Sequence, residues 1–107
     1  MTIVYGIKTC DTCRKALKAL KALDVTLHDV RTDPLSTEQL ESFYAKFGDA
    51  VVNKKSTTWR GLDEAERSRE PIALLRDHPT LMKRPVIDLD CKLYLGWGKD
   101  VQATLGV

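Results

Sequence analysis

Cys10 and Cys13 stand three positions apart, where an apolar run gives way to a stretch with helical spacing. The run is Thr2-Ile3-Val4-Tyr5-Gly6, bridged by Ile7-Lys8-Thr9; the stretch opens at Asp11 and continues to Leu23. A C-x-x-C that closes a strand and opens a helix ties the fold to the chemistry, because it places one sulfur at the helix entrance and the other one turn inside. Such a pair in an intracellular chain reads as a redox site. Two plainer readings compete with it. The pair could be half of a zinc site completed by Cys91, His28 or His78, although no second C-x-x-C or compact Cys/His pair accompanies it. Alternatively, the cysteines are inert.

Three cysteines, an odd number in 107 residues, do not form the framework of a secreted disulfide-rich domain. A chain of this length suits one domain with one modest core. With 43% hydrophobic and 30% charged residues, the composition is that of a globule rather than a disordered chain. The net charge of +2, without a Lys/Arg block, gives no footprint for nucleic acid. Neither a basic N-terminal region leading into a long apolar run nor an 18-residue apolar span occurs, so the expectation is a cytoplasmic protein without membrane contact. P-loop, dinucleotide and H-E-x-x-H motifs are absent.

Periodicity supplies the remaining elements. A helix is expected over 11–23, with Leu17, Leu20 and Leu23 inward beside Ala16 and Ala19, and Arg14, Lys18 and Lys21 in water. A strand follows at 25–30, completing a βαβ unit with parallel strands. Ser36 and Gln39 form a capping box for a helix over 37–47 that Gly48 ends. Residues 53–58 read as a loop, 62–69 as a short charged helix, and Pro71 as the first turn of a helix that stops near His78-Pro79. Val86–Leu89 and Lys92–Leu95 form a hairpin, and 99–105 a last helix with Val101, Leu105 and Thr104 inward. Together these outline an α/β fold, a thioredoxin-like sandwich with a mixed four-stranded sheet and a helical insertion at roughly 36–80, in a single domain over 1–107.

The chemistry follows from the helix entrance. A thiolate, not a thiol, is the nucleophile, and a helix N-terminus with nearby cations stabilises it. Cys10 is therefore the candidate attacking sulfur, and either Cys13 or glutathione could resolve a mixed disulfide on it. Lys8, Arg14 and Lys15 are electropositive neighbours. Free amides at the helix start, with Thr9 and Thr12 hydroxyls, could hold an oxyanion; otherwise the threonines and Asp11 only cap the helix. Arg84-Pro85, just before a strand, could place a cis proline and a guanidinium fork beside the cysteines, the fork suiting an oxyanion or a glutathione carboxylate. A surface cation at a strand start is the alternative. Trp59, Trp97, Tyr94, His28 and His78 read as core or surface residues.

Three motifs, Tyr5–Cys13, Ser56-Thr57-Thr58-Trp59-Arg60-Gly61-Leu62-Asp63 and Lys83-Arg84-Pro85-Val86, resemble the arsenate-reductase-like family that includes YffB and Spx, and above all its YffB branch. The resemblance extends over essentially the whole chain. It implies a thioredoxin-like fold, a cis Arg84-Pro85 bond, and a catalytic Cys10 with Arg84 as an anion-binding arginine. A second family arginine falls near Lys55, and a third where this chain has Trp97; both departures count against a dedicated arsenate pocket. What the resemblance implies instead is a glutathione-dependent thiol-disulfide oxidoreductase, with glutathione as co-substrate and no tightly bound cofactor or metal. Cys10, Cys13 and Arg84 are its expected catalytic residues, and Lys8, Thr9, Thr12, Lys55, Arg84 and Pro85 its substrate- or glutathione-binding residues. The alternatives are arsenate reduction coupled to glutaredoxin, and Spx-like redox sensing through binding to the RNA polymerase alpha subunit.

Overall fold

The computed structural model describes residues 2–106. In chain order the elements begin with β1 (Thr2–Gly6), α1 (Asp11–Ala19), a 3-10 turn (Lys21–Leu23), β2 (Val25–Asp29), α2 (Thr37–Phe47), a second 3-10 turn (Gly48–Val51) and α3 (Thr57–Arg60). Next come α4 (Glu64–Arg67), α5 (Pro71–Asp77), a third 3-10 turn (Pro79–Leu81), β3 (Val86–Leu89), β4 (Lys92–Leu95) and α6 (Lys99–Leu105). They group into two compact units, one built from residues up to Val30 and from Arg84 onward, the other from Arg31–Lys83.

The first unit carries a mixed four-stranded sheet in the order β2-β1-β3-β4, interspersed with helices in a thioredoxin-like α/β arrangement. β1 and β2 run parallel, as a helical crossover between neighbouring strands dictates, while β1–β3 and β3–β4 are antiparallel. The register aligns Leu27, Val4, Ile87 and Tyr94 in one row across the sheet. Strand side chains alternate between faces, so this row shares a face with Val25. Val4 and Ile87 form a buried cluster with Leu20 of the α1 C-terminus and Val101 of α6, and Leu17, Val25, Leu27, Tyr94, Trp97 and Leu105 pack against it. Trp97 and Tyr94 are thus core-packing residues.

The helix expected over 11–23 stops at Ala19. Its inward stripe is Cys13, Ala16, Leu17 and Leu20, the i, i+3, i+4, i+7 set of an amphipathic helix, while Ala19 faces solvent. Leu23, expected inward, is 39% exposed in the 3-10 turn. Asp24 adopts left-handed backbone, φ 55°, to reverse the chain into β2, which takes Leu23 off the helical stripe. At the other end of the unit, Asp90 and Cys91 form a tight β3–β4 turn with φ of 48° and 71°. Two consecutive positive φ values suit the twist of a two-residue hairpin. They leave Cys91 exposed at its tip, with its N–H donating to Asp88 Oδ1 at 2.9 Å. Thr104 does not turn inward; its hydroxyl donates to the Asp100 carbonyl at 2.9 Å.

In the second unit, α2 packs on α5, with Leu40, Phe43, Leu74 and Leu75 buried. The capping box is complete: Gln39 N–H donates to Ser36 Oγ at 3.2 Å, and Ser36 N–H donates to Gln39 Oε1 at 3.0 Å. Ser36→Ala is expected to cost about 1 kcal/mol of stability, seen as a lower urea midpoint at unchanged slope. The segment expected as a loop over 53–58 gives its last two residues to α3, because Ser56 Oγ accepts the Trp59 N–H at 3.1 Å and starts a helix at Thr57. Asp63 likewise caps α4 through the Glu66 N–H at 2.8 Å, confining the helix expected over 62–69 to Glu64–Arg67. Val52 makes only an isolated antiparallel bridge with Met82. No helix among the described residues is long and apolar enough to cross a membrane.

Candidate functional site

The end of β1 aims the chain at α1 through a turn held from two sides. Cys10 N–H donates to the Ile7 carbonyl at 3.0 Å. Lys8 N–H donates to Asp29 Oδ2 at the end of β2 at 3.0 Å, and Arg14 Nε donates to the Lys8 carbonyl at 3.1 Å. The turn therefore has little freedom to change where it delivers Cys10. That residue takes the N-cap of α1 in extended backbone, φ −79° and ψ 121°. A serine or aspartate there would close a tight hydrogen bond to the helix amides. The Cys10 sulfur closes none, so the helix start keeps donors available to a thiolate.

Cys13 belongs to the first turn of α1 and is fully buried, whereas Cys10 is part-exposed. Its sulfur lies against the backbone of Gly6, where a Cβ would overlap it. Gly6, which in the sequence only ends the apolar run, is thus a positioning feature. The signal for it was a glycine at the end of a buried strand.

The environment separates the two sulfurs. Desolvation raises the Cys10 thiol, but it is outweighed by the Cys13 amide and thiol, the Thr12 amide and the Arg84 charge, all of which favour the thiolate; the net direction is below the ordinary 9.0. Desolvation also raises Cys13 and there prevails, joined by the hydrogen bond and negative charge of Cys10 and opposed by the Ile7 amide and Arg84. Cys13 is pushed up to about 11. The two sulfurs are therefore unequal: the part-exposed one gives up its proton more readily, and the buried one donates a hydrogen bond to it.

Arg84 is half-buried, and its charge acts on both sulfurs, although more than seventy positions separate it from them in sequence. The Arg84-Pro85 peptide bond is cis. Pro85 is buried, and its carbonyl accepts the Gly96 N–H at 2.8 Å, fastening the approach to β3 onto the end of β4. Lys8, Thr9 and Thr12 are exposed around the entrance of α1; Lys8 is not among the charges that act on either sulfur. Arg14, expected as an electropositive neighbour, serves the turn through the Lys8 carbonyl. Lys55 belongs to the Arg31–Lys83 unit, exposed in a turn where its N–H donates to Asn53 Oδ1 at 3.1 Å. Among the described residues no three His, Cys, Asp or Glu side chains gather as a metal ion would need.

The ArsC family model matches residues 5–104. An uncharacterized protein of Haemophilus influenzae is 44% identical, over 96% of this chain and 97% of its own length. Among solved structures, a YffB protein superposes with a TM-score of 0.86 at 33% identity, covering 97% of both chains. An arsenate reductase (ArsC) related protein from Brucella melitensis superposes with a TM-score of 0.73 at 32% identity, covering 99% of this chain and 95% of its own.

Proposed function

Because this chain belongs to the ArsC family, we propose that it is a glutathione-dependent thiol-disulfide oxidoreductase in which Cys10 is the nucleophile. The supporting observation is the unequal sulfur pair: a part-exposed Cys10 with its acidity increased and a buried Cys13 pushed up to about 11. The Cys10 thiolate attacks one sulfur of a disulfide substrate, the substrate S–S bond breaks, and one half leaves as a thiolate. The other half stays on Cys10 as a mixed disulfide. Reduced glutathione, as thiolate, then attacks the substrate sulfur of that disulfide, forms a disulfide with it and so expels the Cys10 thiolate. Cys13 is the slower route, because burial disfavours its thiolate. Arg84 stabilises the Cys10 thiolate and orients a substrate or glutathione carboxylate, with cis-Pro85 beside it and Lys8, Thr9 and Thr12 as further binding residues. A thiol cycled by glutathione belongs in a reducing compartment, so this reading places the protein in the cytoplasm.

The test is the pH profile of glutathione-dependent reduction of a small mixed disulfide. The thiolate fraction of Cys10 grows as pH rises, so the rate climbs with pH and is half-risen below 9.0. Arg84→Gln removes a charge that favours the thiolate and moves that midpoint upward. A midpoint at or above 9.0, or turnover that ignores glutathione, overturns the reading. Arsenate reduction supported by glutaredoxin, or redox-dependent binding to the RNA polymerase alpha subunit, would redirect it.

A further inference from the structure

The Arg31–Lys83 unit holds a second chemically distinctive place. Trp59 of α3 forms one wall of a pocket of about 120 Å³, completed by Val52, Pro71 and Leu74 on its apolar side. Three cations also line it, two of them over the Trp59 ring. Lys54 Nζ lies 5.7 Å from the Trp59 ring centroid, and the Arg67 guanidinium carbon lies 5.4 Å from it. Arg67 is fixed by its backbone acceptors, with Nε donating to the Trp59 carbonyl at 3.2 Å and one terminal nitrogen to the Arg60 carbonyl at 3.3 Å.

What sets these cations apart is their missing counter-charge. Arg69, also in the lining, is ion-paired to Glu66 at 2.8 Å and to Asp77. Asp49, the one acid in the lining, accepts the Tyr44 hydroxyl at 2.8 Å. Lys54 and Arg67 meet no carboxylate among the described residues; each is held by indole or carbonyl groups, which orient a cation without neutralising it. A guanidinium anchored through part of its fork keeps further N–H donors for a planar anion. The volume is well below the several hundred Å³ of a nucleotide or drug-sized site and suits a small group.

We propose that this pocket binds a carboxylate on a short apolar stem, the carboxylate meeting Lys54 and Arg67 and the stem lying against Trp59, Val52 and Leu74. The same chemistry is offered by a free dicarboxylic acid and by a glutamate side chain of a peptide. The proposal does not depend on Cys10, and its test involves no catalysis.

The full chain, labelled with nitrogen-15, is titrated at neutral pH and low salt with glutarate, with its neutral isostere glutaramide, and with a capped Leu-Glu-Leu peptide. The expected result is a saturable shift of the Trp59 indole N–H with at least one carboxylate probe, at a Kd on the order of 1 mM, and none with glutaramide. Saturation by glutarate alone identifies a free-acid site, by the peptide alone a site for an acidic side chain, and by both a site open to either source. Lys54→Gln is exposed and bonded only to the ring, so the fold survives it; it is expected to weaken binding about three- to fivefold. Absence of saturation by both carboxylates, an equal response to glutaramide, or an unchanged Kd in Lys54→Gln overturns the proposal.

Discussion

Cys10→Ser is expected to lower glutathione-dependent disulfide reduction by a factor on the order of 10³ or more, because a serine hydroxyl neither ionises near neutral pH nor forms a disulfide. Cys13→Ser is expected to stay within about tenfold of the parent, since its loss removes one hydrogen bond and leaves the Cys13 amide, the Thr12 amide and Arg84 in support of the Cys10 thiolate. The asymmetry is the informative part. Burial, the largest cause of the raised Cys13 thiol, persists when Cys10 is tied up in a mixed disulfide, so resolution by Cys13 is expected to compete poorly with millimolar glutathione. Mass spectrometry of protein treated with oxidised glutathione provides a second readout: the expected main product is a glutathione adduct on Cys10. A Cys10–Cys13 disulfide as the main product, together with a Cys13→Ser variant as inactive as Cys10→Ser, would reverse the assignment of the resolving thiol.

Gly6→Ala is the other substitution with a large expected effect. The backbone there is not left-handed, so the methyl group meets no conformational penalty; its difficulty is entirely one of space. The new Cβ would overlap the Cys13 sulfur and stand 3.2 Å from the Cys13 Cβ, and Cys13 is fully buried with no open side to move toward. Overpacking of this kind costs about 1–3 kcal/mol, a sizeable share of the stability of a small domain. Denaturant unfolding reads it directly. If the sulfur is the obstacle, Cys13→Ala should restore most of the loss in the double variant, giving a coupling energy well above the noise of additive mutations. Equal losses in Gly6→Ala and Gly6→Ala/Cys13→Ala would show that the contact with Cys13 is not what requires glycine.

The parts of the fold that depend on local rules were readable from the residues. The capping box at Ser36 and Gln39, the Pro71 helix start and the Val86–Leu95 hairpin rest on chemistry within a few positions of chain. The misread pieces are those where a short-range pattern yields to geometry. Leu23 continues a three-residue spacing but falls after the helix has closed at Leu20, and Thr57 looks like loop until the Ser56 hydroxyl caps the next turn. Around the cysteines, the motif itself told which sulfur opens the helix. It did not disclose that Gly6 makes room for the other, or that Asp29 and Arg14 hold the turn between them, because those contacts join positions on different elements. Arg84 stood out as an Arg-Pro pair ahead of a strand, with a surface cation as an equal alternative, and it was the resemblance to a family motif that tied it to the cysteines. Its electrostatic hold on both sulfurs is a product of the folded chain.

That dependence bears on how the protein is made. The strand that leads into Cys10 pairs with β2 early in the chain, but its other neighbour is β3, with Thr2 opposite Leu89. A ribosome therefore releases both sulfurs long before it releases Arg84 and the strand that completes the sheet. Pairing across so many residues is slow to form, and sheet edges left open in the meantime are prone to misassociation. Throughout that interval Cys10 lacks one of the charges that favour its thiolate, so the full increase in its acidity waits for the finished chain. Synthesis from the N-terminus thereby leaves the environment of Cys10 unfinished until the sheet is closed around it.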